Sequence, residues 1–177
     1  MNAPQRQLRL SQLAPGLREH TTALSVSSYF DPAWLALEQE RLFRAGPTYE
    51  GCTALVPERG DYITLAVHDH SRALVHGDEG IGLVSNVCRH RQALILEGRG
   101  KAQNLVCPLH RWTYDLGGRL LGAPGFEQAP AHCHLPRTAL TDWQGLLFSG
   151  PIDVNRLMAD FPLPELFDFR GLVHTHT

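Results

Sequence analysis

Four side chains form a set able to bind metal: Cys88 and His90 in Cys88-Arg89-His90, and Cys107 and His110 in Cys107-Pro108-Leu109-His110, with sixteen residues between the two motifs. Each motif offers one thiolate and one imidazole. Cys-x-His converges only on an irregular loop, because side chains two apart on a strand share a face but need a bend to meet. Cys-x-x-His suits a tight turn, and Pro108 restricts its backbone. Two sulfurs and two nitrogens fit a tetrahedral zinc ion, or a two-iron cluster with both cysteines on one iron and both histidines on the other. The mixed loops favour the cluster, since zinc fingers usually present a cysteine pair and then a histidine pair.

The elements that must position these loops are short. Residues 1–26 are polar and broken by Ala14-Pro15-Gly16, and read as a flexible arm. Asp31-Pro32 is a helix start, an N-cap followed by proline at the first helical position. Trp34, Leu35, Leu42 and Phe43 recur at helical spacing, and Gly46-Pro47 ends a leading helix within 27–46. Strands then follow: Tyr62 to Val67, Arg72 to His76, and Ile81 to Val87 after the turn Gly77-Asp78-Glu79-Gly80. Thr138 to Trp143 and Leu146 to Ser149 flank Gln144-Gly145 as a closing hairpin. Between these β blocks, residues 86–126 carry glycines at 98, 100, 117, 118, 122 and 125, a loop-rich insert suited to mounting a metal site. Asp153 to Asp160 reads as a short helix in a C-terminal segment, 151–177.

With 177 residues, 43% of them hydrophobic, the chain supports one domain with a core. A formal net charge of −2 supplies no basic field for nucleic acid or an anionic membrane. No run of about 18 apolar residues is present to span a bilayer. Met1 to Leu10 lacks an apolar signal core, so the expected address is cytoplasmic. There the four cysteines, Cys52, Cys88, Cys107 and Cys133, are thiols or metal ligands before they are disulfides.

The run Cys-x-His-Arg, then Cys-Pro-x-His-x-Trp-x-Tyr-Asp, then Gly117-Gly118, resembles the Rieske domain of the α subunit of ring-hydroxylating (Rieske non-haem iron) oxygenases. Glu38-x-Glu40-Arg41-Leu42-Phe43, Gly60-Asp61-Tyr62 and Trp143-x-Gly145-Leu146-Leu147-Phe148 extend the likeness over residues 28–170. The resemblance implies one Rieske-type [2Fe–2S] cluster, with Cys88 and Cys107 on the inner iron and His90 and His110 on the outer. Arg91, Trp112, Tyr114 and Pro124 would flank it. The implied fold is mainly β: an antiparallel β-sandwich base over 47–150, an inserted cluster-binding subdomain, and one N-terminal helix. The sequence departs from the common pattern at Gln92, Leu109 and Arg111, where glycine, tyrosine and glycine are usual. Respiratory-chain Rieske proteins carry an extra cysteine in each loop, matched here by Ala93 and Leu109, so their disulfide is absent. Their serine that donates to a cluster sulfide is matched by Trp112. Fewer donors leave the reduced cluster less stabilised, which sets an expected potential of roughly −150 mV.

By the same resemblance the chain is an electron-transfer domain of a monooxygenase or dioxygenase. Electrons arrive from a reductase or ferredoxin. They leave through an exposed imidazole edge toward a mononuclear Fe(II) site in a catalytic domain of the same or a neighbouring α subunit, in a trimer when full length. That site needs two histidines and a carboxylate, and no His-x4-His pair with a suitable acid appears here. The catalytic domain is therefore expected beyond this chain, with 151–177 as a linker toward it. Two other readings stand beside this one. A free-standing Rieske-type ferredoxin is disfavoured by the leading helix and arm, and a zinc-binding interaction module is separable by metal analysis. Elsewhere the expectations are plain. Trp112 and Tyr114 are core beside the cluster, Gly117-Gly118 is a turn, and Gly122-Ala123-Pro124-Gly125 is a third loop over the cluster. His132-Cys133-His134 is a surface connection, Cys52 is core, and His68 and His70 are solvated. His174-x-His176 begins a strand. Arg89 and Arg91 are solvated or dock an acidic electron partner.

Overall fold

The computed structural model describes residues 26–126, 131–160 and 169–171. The expected arm, apart from Val26, and the His174-x-His176 segment lie outside the described residues. The first helix, α1 (Pro32–Glu38), begins as the sequence indicates. Asp31 is extended, and its carboxylate accepts the Ala33 N–H at 2.9 Å with Pro32 at the first position. A π turn over Gln39–Phe43 continues it to twelve residues in all. Its apolar side chains do not reach the core: Trp34, Leu35, Leu42 and Phe43 are all exposed. Helical periodicity alone does not say what covers the stripe.

Eleven short strands follow: β1 (Thr48–Cys52), β2 (Asp61–Thr64), β3 (Arg72–Gly77), β4 (Gly80–Ser85), β5 (Arg99–Lys101), β6 (Leu105–Val106), β7 (Thr113–Tyr114), β8 (Leu120–Gly122), β9 (Arg137–Thr138), β10 (Thr141–Trp143) and β11 (Leu146–Ser149). They form three antiparallel sheets, β1-β11-β10, β5-β2-β3-β4-β9 and β6-β7-β8. A short helix, α2 (Val154–Met158), is capped by Asp153.

The five-stranded sheet is shared by two cores, and this explains the continuous apolar runs of β3 and β4. Leu74 and Leu83 face one side, where they meet Val56, Leu65 and Leu147 against the three-stranded sheet β1-β11-β10. Ala73, Val75 and Val84 face the other side. There they meet Leu105, Trp112, Tyr114, Leu116, Leu120 and both motif cysteines. Strand side chains alternate between faces, so a sheet covered on both faces loses the polar half of its pattern.

Three differences from the sequence reading concern this frame. Thr138 to Trp143 is not one strand: β9 pairs with β4 in one sheet, and β10 pairs with β11 in the other, so the chain crosses between sheets at Ala139-Leu140. The insert is not continuous either, because β5 returns to pair with β2 as the edge of the base sheet. Two excursions, one on each side of β5, carry the two metal motifs. Finally, His68 is half-buried rather than solvated, and His70, though exposed, is anchored as well. His68 Nε2 lies 2.6 Å from Glu50 Oε2, and Ser149 Oγ donates to Glu50 Oε1 at 2.6 Å, with Glu50 itself 5% exposed. His70 Nδ1 lies 3.0 Å from Thr64 Oγ1. These contacts tie β1 and β11 to the turn after β2. A buried carboxylate without such partners would be costly.

Candidate metal centre

The two motifs fold into loops of one design. Cys88 N–H donates to Ala93 O at 2.9 Å, and Gln92 N–H donates to Cys88 O at 3.0 Å. In the second loop Cys107 N–H donates to Trp112 O at 2.8 Å, and Arg111 N–H donates to Cys107 O at 3.1 Å. Each loop is thus six residues, opened by its cysteine and closed by the same two backbone bonds. The fifth residue is left-handed in both, Gln92 at φ 59° and Arg111 at φ 60°. These are two of the positions where the resembling oxygenases usually carry glycine. The conformation is kept here at the steric expense of a Cβ.

Asn86 anchors the first loop. It is buried, donates from Nδ2 to His70 O and Leu96 O at 2.9 Å each, and accepts Leu96 N–H at 2.7 Å. Ile95 N–H also donates to Asn86 O, so both ends of the loop hang from one residue. The second loop runs between β6 and β7. The β7–β8 turn is held by Asp115, whose carboxylate accepts the Gly117 and Arg119 N–H groups. Gly118 is required in that turn: φ is 94°, and a Cβ would sit 2.9 Å from Leu135 O.

Cys88 and Cys107 are 1% and 2% exposed and share the first core, while His110 lies on the surface beyond them. The His90 and His110 rings are 4.8 Å apart at 74°. Trp112 stacks on His90 at 4.8 Å and 5°. Phe126 meets His90 edge-on at 6.0 Å and Trp112 at 5.3 Å. Burial, with the nearby His110 and Arg91, lowers the His90 pKa. Tyr114 is fully buried, with its hydroxyl 3.4 Å from Cys88 Sγ and accepting Arg89 N–H at 3.2 Å. Because that oxygen already accepts, its own proton is free to point at the sulfur. Burial pushes the phenol pKa well up, and the Cys88 contact adds to this. Tyr114, read from sequence only as core, therefore brings a donor to the thiolate.

Two buried side-chain polar atoms among the described residues have no protein partner, His90 Nδ1 and Trp112 Nε1. Both lie at this site. No three His, Cys, Asp or Glu side chains are gathered as a single ion would require, again among the described residues. A two-iron cluster asks each iron for only two protein ligands. Two core thiols, a surface imidazole and a buried imidazole nitrogen lacking a partner fit that group.

The third loop also approaches the site. Pro124-Gly125 forms a turn closed by Phe126 N–H to Ala123 O, and it delivers the Phe126 ring to His90, while Pro124 is itself exposed. His132-Cys133-His134 is less superficial than expected, since Cys133 is 9% exposed in the first core and His134 Nδ1 accepts Leu120 N–H at 2.8 Å. Sequence reasoning missed Asn86 and Phe126. Their signals were a polar residue inside an apolar strand run and an aromatic directly after Ala-Pro-Gly.

The rim is basic. Arg89, Arg91 and Arg111 are exposed and form no ion pair with a described residue. Arg59, Lys101, Arg119 and Arg137, by contrast, each pair with a carboxylate. No Asp or Glu occurs from Gly80 to Leu96 or from Ala102 to Tyr114.

The family described as Rieske [2Fe-2S] domain matches residues 51–139. Putrescine 2-hydroxylase of Ralstonia nicotianae is 54% identical over 155 residues, covering 88% of this chain and 42% of that protein. The glycine betaine monooxygenase oxygenase subunit of Chromohalobacter salexigens is 37% identical over 157 residues, covering 86% of this chain and 35% of its own. The chain thus spans well under half the length of these curated relatives. A quaternary ammonium Rieske monooxygenase shares the fold at a TM-score of 0.66 and 23% identity, over 76% of this chain and 40% of that one. Naphthalene 1,2-dioxygenase from Rhodococcus sp. gives 0.63 and 25%, over 73% and 32%. No helix among the described residues is long and apolar enough to cross a membrane. The chain belongs to the Rieske [2Fe–2S] domain family and is homologous to the cluster-bearing, electron-transferring domain of oxygenase α subunits.

Proposed function

We propose that Cys88 and Cys107 hold the inner iron of the cluster, and His90 and His110 the outer iron. In this reading the chain relays single electrons from a reductase or ferredoxin to a mononuclear iron oxygenase site. That site sits in a catalytic domain of its own or a neighbouring α subunit. The observation that carries the assignment is the buried His90 Nδ1 without a protein partner, beside His110 and over a core that holds both cysteines. A buried imidazole nitrogen left empty costs about 1–3 kcal/mol, and a metal removes that cost. When bound, the cluster supplies one-electron chemistry. The chain's residues seat it: Trp112 and Phe126 fix the His90 ring plane, the Tyr114 hydroxyl supports Cys88, and Asn86 holds the first loop closed. Arg91 and Pro124 border it on the outside.

Arg89, Arg91 and Arg111 around the imidazole edge, which pair with no described carboxylate, support an electron donor with an acidic docking face. Charges at such a rim mainly set the association rate and its salt dependence. The names of the curated relatives support an amine substrate for a full-length protein, and putrescine is the first compound to test. The ligand set is tested on reduced, iron-loaded protein by electron paramagnetic resonance, where a nitrogen-ligated cluster gives a low average g. An all-thiolate signal, or zinc in place of iron, would sink the assignment. Cys107→Ser should lose iron and acid-labile sulfide together and loosen both loops while the β base persists. A variant that keeps stoichiometric iron and sulfide would refute it.

A further inference from the structure

Trp112 occupies the position at which respiratory-chain relatives place a hydroxyl donor, so sequence alone counts it as a donor lost. Its burial says otherwise. The side chain is 2% exposed, and Nε1 is one of the two buried side-chain polar atoms among the described residues with no protein partner. The other is His90 Nδ1, on the ring stacked against it at 4.8 Å and 5°. Neither orphan satisfies the other. An indole nitrogen only donates, and a buried one usually finds an acceptor. The same core holds Cys88 and Cys107, but neither thiol accepts from the indole in the structure, so the acceptor due at this place is a sulfur that the cluster itself brings. Leaving the N–H empty would cost about 1–3 kcal/mol, and a bond to a charged acceptor is stronger than one between neutral groups.

We propose that the Trp112 indole N–H donates a hydrogen bond to a sulfur of the cluster, acting as a positioning residue that favours the reduced state. The inference rests on the ligand reading above. Reduction adds negative charge at the sulfurs, so a donor there binds the reduced form more tightly. Stacking on His90 gives the same side chain a second task, since it fixes both the imidazole plane and the direction of its own N–H.

The test uses the iron-loaded full chain with two replacements at this position. One is Trp112→Phe. The other is an isosteric tryptophan analogue carrying sulfur in place of the indole N–H, which keeps the stack and the volume. Each should lower the reduction equilibrium constant about tenfold, about 59 mV for one electron in film voltammetry. In electron–nuclear double resonance of the reduced protein, each should also lose one proton coupling that exchanges in D2O. An isostere with unchanged potential, or one that retains the exchangeable coupling, overturns the proposal, because a purely structural tryptophan would behave in that way. Failure of the ligand reading shows separately, as missing iron and sulfide or an all-thiolate signal in the unaltered protein.

Discussion

Asn86→Ala is expected to destabilise the protein by about 3 kcal/mol, a large part of the roughly 5–15 kcal/mol typical of a domain. The figure follows from what the amide touches. Two donated bonds and one accepted bond, at 2.9, 2.9 and 2.7 Å, hold backbone groups of His70 and Leu96. Leu96 is half-buried, so its N–H and C=O lose their partner with little water in reach, at about 1–2 kcal/mol each. His70 is exposed, and its carbonyl recovers a water, so its share is below about 1 kcal/mol. Because the lost amide bonds tie Leu96, just past the end of the first loop, that loop should release iron faster. Asn86→Asp sharpens the test: it keeps the acceptor for Leu96 N–H but turns a carboxylate oxygen toward two carbonyls. That contact raises the folded-state pKa of the new acid. The folded state then binds more protons than the unfolded one, and the variant should lose stability as pH rises through the carboxylate range. Urea unfolding, followed by far-ultraviolet circular dichroism and cluster absorbance together, measures both effects. A midpoint shift worth less than about 1 kcal/mol for Asn86→Ala, or an Asn86→Asp variant relatively more stable at pH 8 than at pH 5, would refute the clamp.

Three other outcomes are open to direct measurement. Arg111→Gly relieves a left-handed Cβ worth about 1–2 kcal/mol and adds about 0.5–1 kcal/mol of unfolded-state entropy, so stability should rise by about 0.5–1 kcal/mol. Its reduction by an acidic donor protein should slow at low salt, and equal rates in variant and parent would remove the rim from docking. Tyr114→Phe deletes the hydroxyl at Cys88 Sγ and should lower the potential by on the order of 40–60 mV; an unchanged midpoint in voltammetry would show that the contact does not reach the cluster. In the apoprotein, burial, His110 and Arg91 depress His90 below an ordinary histidine. The unfolded chain then binds the extra proton first, so stability should climb as pH rises from the lowered folded pKa through the ordinary histidine value. Nuclear magnetic resonance titration showing His90 at or above the free-histidine pKa would contradict this.

The candidate ligand types, their spacing and the strand character of the flanks are legible in the chain alone. Thiolate and imidazole chemistry at Cys-x-His and Cys-x-x-His, and the punctuation of Asp31-Pro32, Gly117-Gly118 and Gln144-Gly145, are local properties, and local chemistry is written in order along the chain. Whatever depended on meeting a distant segment was decided by tertiary structure. Strand pairing put β5 on the edge of the base sheet and split 137–143 between two sheets, since hydrogen-bond partners are chosen across the fold. Burial turned Asn86 from a polar interruption into a clamp, and sent the Tyr114 hydroxyl to a sulfur 26 residues away in sequence. The shared design of the two cysteine loops was also invisible beforehand, because their histidines stand at different places in the same six-residue closure. Backbone hydrogen bonds and a left-handed φ define that closure, and residue type alone does not report either. Periodicity identified the stripe on α1 but not its exposure, because a pattern states which face is apolar and only packing states what covers it.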